Sequence, residues 1–138
     1  MIHQQQIQIK TSGRGTTNIT QDINKIITES GIQHGLCHCF IQHTSASLII
    51  TENADPDVRL DLEYYMGQNV KDGDPNYRHQ DEGPDDMSAH IRTVLTETSV
   101  TIPVNHGQQA MGTWQGLFLW EHRSHPYQRK VLVTVQGE

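Results

Sequence analysis

The stretch that most limits what this chain can fold into is L-C-H-C-F-I-Q-H-T-S-A-S-L-I-I-T, residues 36–51. It reads as one long β-strand, or as two strands joined by a bend. If it is continuous, Cys37, Cys39, Ile41, His43, Ser45, Ser47 and Ile49 share a face, because successive strand side chains point to opposite sides. The fold must therefore supply a sheet here, and the other elements have to pack around it.

Those elements are readable in turn. I-Q-I-K (7–10) is a short alternating strand, followed by the loop T-S-G-R-G-T-T. I-T-Q-D-I-N-K-I-I-T-E-S-G predicts a helix with Thr20 as N-cap, Ile23, Ile26 and Ile27 as its apolar stripe, and Gly31 as its stop. A second helix starts near Pro56, a favoured first helical position, with Val58, Leu62 and Tyr65 facing inward. Residues 67–85 are polar and rich in Gly, Pro and Asp, and so long an irregular stretch in a small domain points to function. A third helix begins at Asp85 or Asp86, with Ile91, Val94 and Leu95 as its stripe. S-V-T-I-P-V, the turn N-H-G, and the apolar run to Arg123 suggest a hairpin, and R-K-V-L-V-T-V is a last strand. The order βαβ(β)ααβββ predicts an α+β fold: antiparallel, sandwich-like sheets with two or three helices packed to one side.

A chain of 138 residues suits one domain and buries enough core to need no disulfide. Its formal net charge of -6, with no basic run, argues against a nucleic-acid partner. No apolar segment approaches the roughly 20 residues of a membrane span, and the N-terminus lacks a signal-peptide core, so a soluble, cytoplasmic protein is expected. Cys37 and Cys39, neighbours on one strand face, read as reduced packing residues rather than a disulfide. Nine histidines stand out, since histidine is the commonest metal ligand and a proton carrier near neutral pH.

Three segments concentrate groups that do chemistry. Y-R-H-Q-D-E-G-P-D-D-M-S-A-H (77–90) holds two histidines, three aspartates and a glutamate. On a helix starting near Asp85, Asp86 and His90 lie on one face, and His90 points back toward the loop that carries His79. His79 and His90 can chelate one divalent ion with carboxylate oxygens completing or orienting the ligands, while one of Asp85 and Asp86 caps the helix. In H-T-S-A-S-L (43–48), His43, Ser45 and Ser47 alternate on an apolar strand; a substrate or phosphate contact fits better than a nucleophile, because no G-x-S-x-G elbow is present. In G-T-W-Q-G-L-F-L-W-E-H-R (112–123), Glu121, His122 and Arg123 stand together at a strand end. Arg123 can clamp a phosphate or carboxylate, and His122 can be a third metal ligand. The bland alternative is a strand leaving the core with a salt bridge at its exit. Arg14, in S-G-R-G, can reach a phosphate, though it reads better as part of a solvated turn.

Taken together, H-T-S-A-S-L-I-I-T-E-N-A-D-P-D-V, Y-R-H-Q-D-E-G-P-D-D-M-S-A-H-I and G-T-W-Q-G-L-F-L-W-E-H-R, closing with V-T-V-Q-G-E, resemble the YjbQ family. This is the uncharacterised-protein family also labelled secondary thiamine-phosphate synthase, and the resemblance runs from Arg14 to Glu138. It implies a small α+β sandwich that assembles as a homotrimer around a histidine-rich, metal-binding pocket. The positions matching that polar pocket are His43, Ser45, Asn53, His79, Asp85, Asp86, His90, Gln115, Glu121, His122 and Arg123. The expectation is an enzyme acting on a small phosphorylated substrate, joining an aminopyrimidine diphosphate to a thiazole phosphate with release of pyrophosphate. His79, His90 and His122 are then the metal ligands. His43, Asp85, Asp86 and Glu121 are the acid–base or ligand-orienting groups, and Ser45, Asn53, Gln115 and Arg123 contact substrate. Three histidines suit zinc, whereas diphosphate departure commonly uses magnesium on carboxylates, so the cofactor is a divalent metal, zinc or magnesium. That mismatch keeps a metal-dependent hydrolase as an alternative, and a non-catalytic trimer that binds metal or metabolite is a second one.

Overall fold

The computed structural model describes residues 1–138. In chain order it contains β1 (Ile2–Lys10), β2 (Gly15–Asn18), α1 (Thr20–Ser30), β3 (His34–Ile41), β4 (Ala46–Glu52), α2 (Pro56–Asn69), α3 (Asp86–Leu95), β5 (Ser99–Asn105), β6 (Gln108–Gln109), β7 (Gln115–Glu121) and β8 (Gln128–Gly137). One antiparallel sheet has the order β1-β8-β3-β5-β6 and a second the order β2-β7-β4. The expected α+β architecture is present.

Residues 36–51 prove to be two strands, in different sheets. Cys37, Cys39 and Ile41 of β3 pair with Val135, Val133 and Val131 of β8. All six are buried in a core cluster with Ile102 and Val104 of β5 and Leu117 and Leu119 of β7. The chain then turns at His43, whose Nε2 accepts the Lys130 backbone N–H at 2.8 Å, and enters β4. The shared face therefore ends at Ile41. Beyond it, Ala46 and Leu48 join the core cluster, while Ser47 stands opposite Trp120 of β7, toward the helices. The two cysteines are free thiols 4.0 Å apart, buried as packing residues.

α1 behaves as its pattern predicts. Ile23, Ile26 and Ile27 are buried, and Gly31 ends the helix in the left-handed region at φ 71°. The cap differs: Ile19 occupies the N-cap position, and Asn18 supplies the side-chain oxygen that accepts the Thr20 N–H at 3.0 Å. Thr20 turns its hydroxyl to the Leu117 N–H instead, at 2.9 Å. The last hairpin is also shorter than expected. His106 and Gly107 form a positive-φ turn, but β6 has two residues before the chain crosses to the other sheet as β7.

β7 is buried from Gly116 to Glu121, on both faces. The five-stranded sheet and α1 cover one side. α2 and α3 cover the other, where Arg59 lies over Phe118 and Trp120 Nε1 donates to Glu63 at 3.0 Å. Neither helix buries the stripe read from sequence. α2, capped by Asp55 onto the Asp57 N–H, buries no residue, and Tyr65 is exposed. α3 turns Asp86, Ser88, Arg92 and Thr93 inward and leaves Val94 82% and Leu95 62% exposed. The inversion holds because each inward polar group finds partners. Arg92 donates to Glu63 at 2.6 Å, and Ser88 to Asp72 and to the Asp85 carbonyl. A paired charge tolerates a site that an unpaired one does not.

Candidate metal centre

The first turn of α3 and the loop before it bring four ligand atoms together. His79, Glu82, Asp86 and His90 place one imidazole nitrogen or carboxylate oxygen each within 4.8 Å of one another. His79 Nε2 donates to Asp86 Oδ2 at 2.6 Å, and His90 Nε2 donates to the same oxygen at 3.2 Å. Glu82 Oε2 is 3.2 Å from His79 Nε2. Asp86 and His90 meet because residues four apart on a helix share a face; His79 and Glu82 arrive from the loop. Ligands about 2.0–2.1 Å from a tetrahedral ion stand about 3.3 Å apart. Two contacts here, at 3.2 Å, have that spacing; the others run from 2.6 Å up to 4.8 Å and would have to shift to close on one ion. The donor set of two imidazoles and two carboxylates suits a divalent one. The loop supplies two of the four ligand atoms, from His79 and Glu82, and both of those residues are exposed.

Arg123 fixes this centre from the back. Its Nη1 donates to Asp86 Oδ1 at 2.8 Å, its Nε to Asp85 Oδ2 at 3.1 Å and its Nη2 to the Glu82 carbonyl at 3.0 Å. The guanidinium expected to clamp a phosphate is thus committed to the chain's own carboxylates. Asp85 sits at the N-cap position, yet its carboxylate makes no helix cap; it accepts from Arg123 and from the Ser124 N–H and hydroxyl. Burial would raise its pKa, but the Arg123 pair and the Ser124 bonds hold it far below the usual carboxylate range. Burial likewise pushes Asp86 up, and the bond from His79, with help from Arg123 and His90, reverses the shift downward. The same bond to Asp86 raises the His79 pKa.

A model of the family described as "UPF0047 protein YjbQ-like" matches residues 5–138. The chain belongs to the YjbQ family. It is 52% identical over 136 residues to a UPF0047 protein of Synechocystis sp., covering 99% of this chain and 92% of that one. With the UPF0047 protein YjbQ of Escherichia coli O157:H7 it shares 41% over 139 residues, covering both chains in full. The crystal structure of an uncharacterized conserved YjbQ/UPF0047 protein from Clostridium acetobutylicum superposes with a TM-score of 0.87 at 34% identity, covering 95% of this chain and 98% of that one. A hypothetical protein from Aeropyrum pernix gives 0.89 at 26% identity, covering 99% of each.

The other family-motif residues lie in separate places. His122, read as a third ligand, is not in the cluster; it is buried, with Nε2 2.8 Å from Ser47 Oγ and Nδ1 without a partner. Burial, and then the charges of Arg92, Arg14 and Arg129, lower its pKa to about 3, so it stays neutral. Ser47 and His122 are both fully buried, which gives the hydroxyl no open face for a substrate.

Glu121 is also buried, accepting from Thr11 at 2.7 Å and from Arg129 Nε at 2.8 Å, with a second, shorter bond from Arg129 Nη2. The strand therefore ends inside the protein rather than at a solvent exit, and the partner of its acid is Arg129. The same guanidinium donates to Ser45 Oγ at 3.0 Å and lies 3.3 Å from His43 Nδ1. Burial and then Arg129 lower the His43 pKa. Asn53 donates to the carbonyls of Thr113 and Gln115 at 3.1 and 3.2 Å, and Gln115 accepts the Gly112 N–H at 2.8 Å. These two hold the Gly112–Gln115 turn against the start of α2. Arg14 is no solvated turn residue: it grips Asp72 through two nitrogens at 2.9 and 3.0 Å and the His122 carbonyl at 2.9 Å.

Two participants escaped the sequence reading. Glu82 stands four residues before Asp86 but outside α3, where that spacing puts no two side chains on one face, and its loop gave no reason to pick it over Asp81. Arg129 carried no local signal at all, since its partners lie across the sheet.

Proposed function

We propose that this protein is a divalent-metal-dependent enzyme acting on a small phosphorylated substrate, with His79, Asp86 and His90 as metal ligands and Glu82 as the fourth. The observation that carries the reading is the convergence of these four ligand atoms within 4.8 Å, backed by an arginine that orients the shared carboxylate. Bound there, a divalent ion supplies Lewis-acid stabilisation of a departing diphosphate, or acidifies a coordinated water. Arg123 holds Asp86 by Oδ1 and leaves Oδ2 facing the histidines. Both Nε2–H protons must leave or move to Nδ1 before the nitrogens can ligate, so affinity rises with pH.

The reaction suggested by the family resemblance joins an aminopyrimidine diphosphate to a thiazole phosphate: a carbon–nitrogen bond forms, the carbon–oxygen bond to diphosphate breaks, and pyrophosphate departs. Hydrolysis of a small phosphate ester is the second reading, favoured by the mixed histidine–carboxylate ligand set, which suits zinc. The homotrimer belongs to the same proposal. Its support is an apolar surface over α2 and α3, where Leu60, Tyr64, Tyr65, Val94 and Leu95 are exposed beside a groove lined by Ile49, Leu62 and Met66.

Untagged protein is expected to carry about one zinc or comparable ion per chain by elemental analysis, and Asp86→Asn to lose it. Formation of thiamine phosphate, or phosphate release, should stop with chelator and in His90→Ala. Metal binding without turnover on either substrate set would leave a binding protein, and stoichiometric metal in both variants would remove the centre.

A further inference from the structure

Beside His79 lies a cavity of about 510 Å³ that the loop after α2 builds for itself. Gly73 and Gly83 turn the chain with φ of 69° and 103°, and the Gly73 N–H donates to the Pro84 carbonyl at 2.9 Å. Residues 73–84 are thereby closed at their base into a loop whose ends meet, a form often functional. The cavity is within the size range of small-molecule sites.

Its walls are selective in charge. Asp74, Pro75, Tyr77, His79, Gln80 and Met87 line it with three glycine and proline residues of the loop base, and no lysine or arginine is among them. Arg14 is paired with Asp72 and Arg123 with Asp85 and Asp86, and Arg78, which stands between Tyr77 and His79 in the loop, is not among the lining residues. Asp74 uses Oδ1 to accept the Asn76 N–H at 2.9 Å and has Oδ2 to offer. Gln80 donates its amide N–H to the Tyr77 carbonyl at 2.6 Å, so its side-chain oxygen is the atom left for a ligand. The lining therefore offers acceptors, an aromatic face and apolar walls. An anion placed there would meet no lysine or arginine and only His79, whose Nε2–H already goes to Asp86, whereas an N–H-bearing cation gains a charge-assisted bond and a cation–π contact.

We propose that this cavity binds a small planar organic cation or amine, which donates to Asp74 and lies against Tyr77 next to His79. The placement in a reaction rests on the metal-centre reading; the binding itself does not. A substrate spanning both would keep its amine end in the cavity and its reacting end at the Nε2 side of His79.

Benzamidine and benzoate, matched in shape and opposite in charge, test this by calorimetric titration of metal-free protein. Benzamidine should bind and benzoate should not. Asp74→Asn keeps an oxygen for the Asn76 N–H and should weaken benzamidine about tenfold; Tyr77→Leu should weaken it too. His34→Ala, on β3 and outside the cavity lining, should leave benzamidine affinity within about twofold. Retained amine binding in a protein that holds no metal would sustain this proposal while sinking the metal centre. Benzoate binding as tightly as benzamidine, or unchanged affinity in Asp74→Asn, would overturn it.

Discussion

At the scale of single residues, His122 shows how far a side chain's role depends on what surrounds it. The same histidine that beside Glu121 and Arg123 in sequence suggests a ligand is, in the fold, a neutral group bonded to Ser47 under three arginines. Its pKa falls from 6.5 to about 3. Between those values the unfolded chain takes up a proton here that the folded chain refuses. Stability supplied by this residue is therefore intact above about pH 6.5 and is lost as acid is added toward pH 3, at up to about 1.4 kcal/mol per pH unit. Urea unfolding of wild type and His122→Asn at pH 7 and pH 4.5 checks this. The variant should lose less stability between the two, by roughly one proton's worth of slope, and equal slopes would mean that His122 titrates normally.

At the scale of elements, the Arg129–Glu121 pair ties β8 to β7, and so one sheet to the other. Both side chains are buried, and Thr11 and Ser45 join them from the loop after β1 and the start of β4. Removing one partner strands the other's charge, so Arg129→Met should cost about 3–5 kcal/mol, read as a drop in the urea midpoint. The double variant Arg129→Met, Glu121→Leu should recover part of that loss; if it is as unstable as the single one, the stranded charge is not the cause. α3 makes a related point. Its apolar positions were legible, but the side that faces inward was not, because Glu63, Asp72 and Arg123 make its polar side the better one to bury.

At the scale of the whole molecule, the exposed Tyr65 of α2 and Leu95 of α3 line one groove with Ile49, Leu62 and Met66, above the three-stranded sheet. An exposed apolar groove of this kind marks an interface more often than single scattered apolar residues do. If the proposed trimer forms through this groove, light scattering should give about three chain masses for the wild type and a monomer of 15.7 kDa for the replacement Val94→Asp with Leu95→Asp. It should leave the fold intact, since neither side chain contributes to the core. An unchanged mass would move the interface elsewhere.

By itself, the sequence determined the elements and the class: α1 with its isoleucine stripe and glycine stop, the helix starts near Pro56 and Asp86, the last strand, the α+β order and the family. Each rests on local periodicity or a local cap, which a linear reading captures. It also placed His79, Asp86 and His90 near one another, as the hydrogen bonds between them bear out, because a short loop and one helical turn connect them. Only the tertiary structure separated β3 from β4, turned the polar side of α3 inward, took His122 from the metal set and gave Glu121 to Arg129. Those outcomes depend on which charges meet across elements distant in sequence. A buried charge is stable only where its partner arrives, and no spacing along the chain records that meeting.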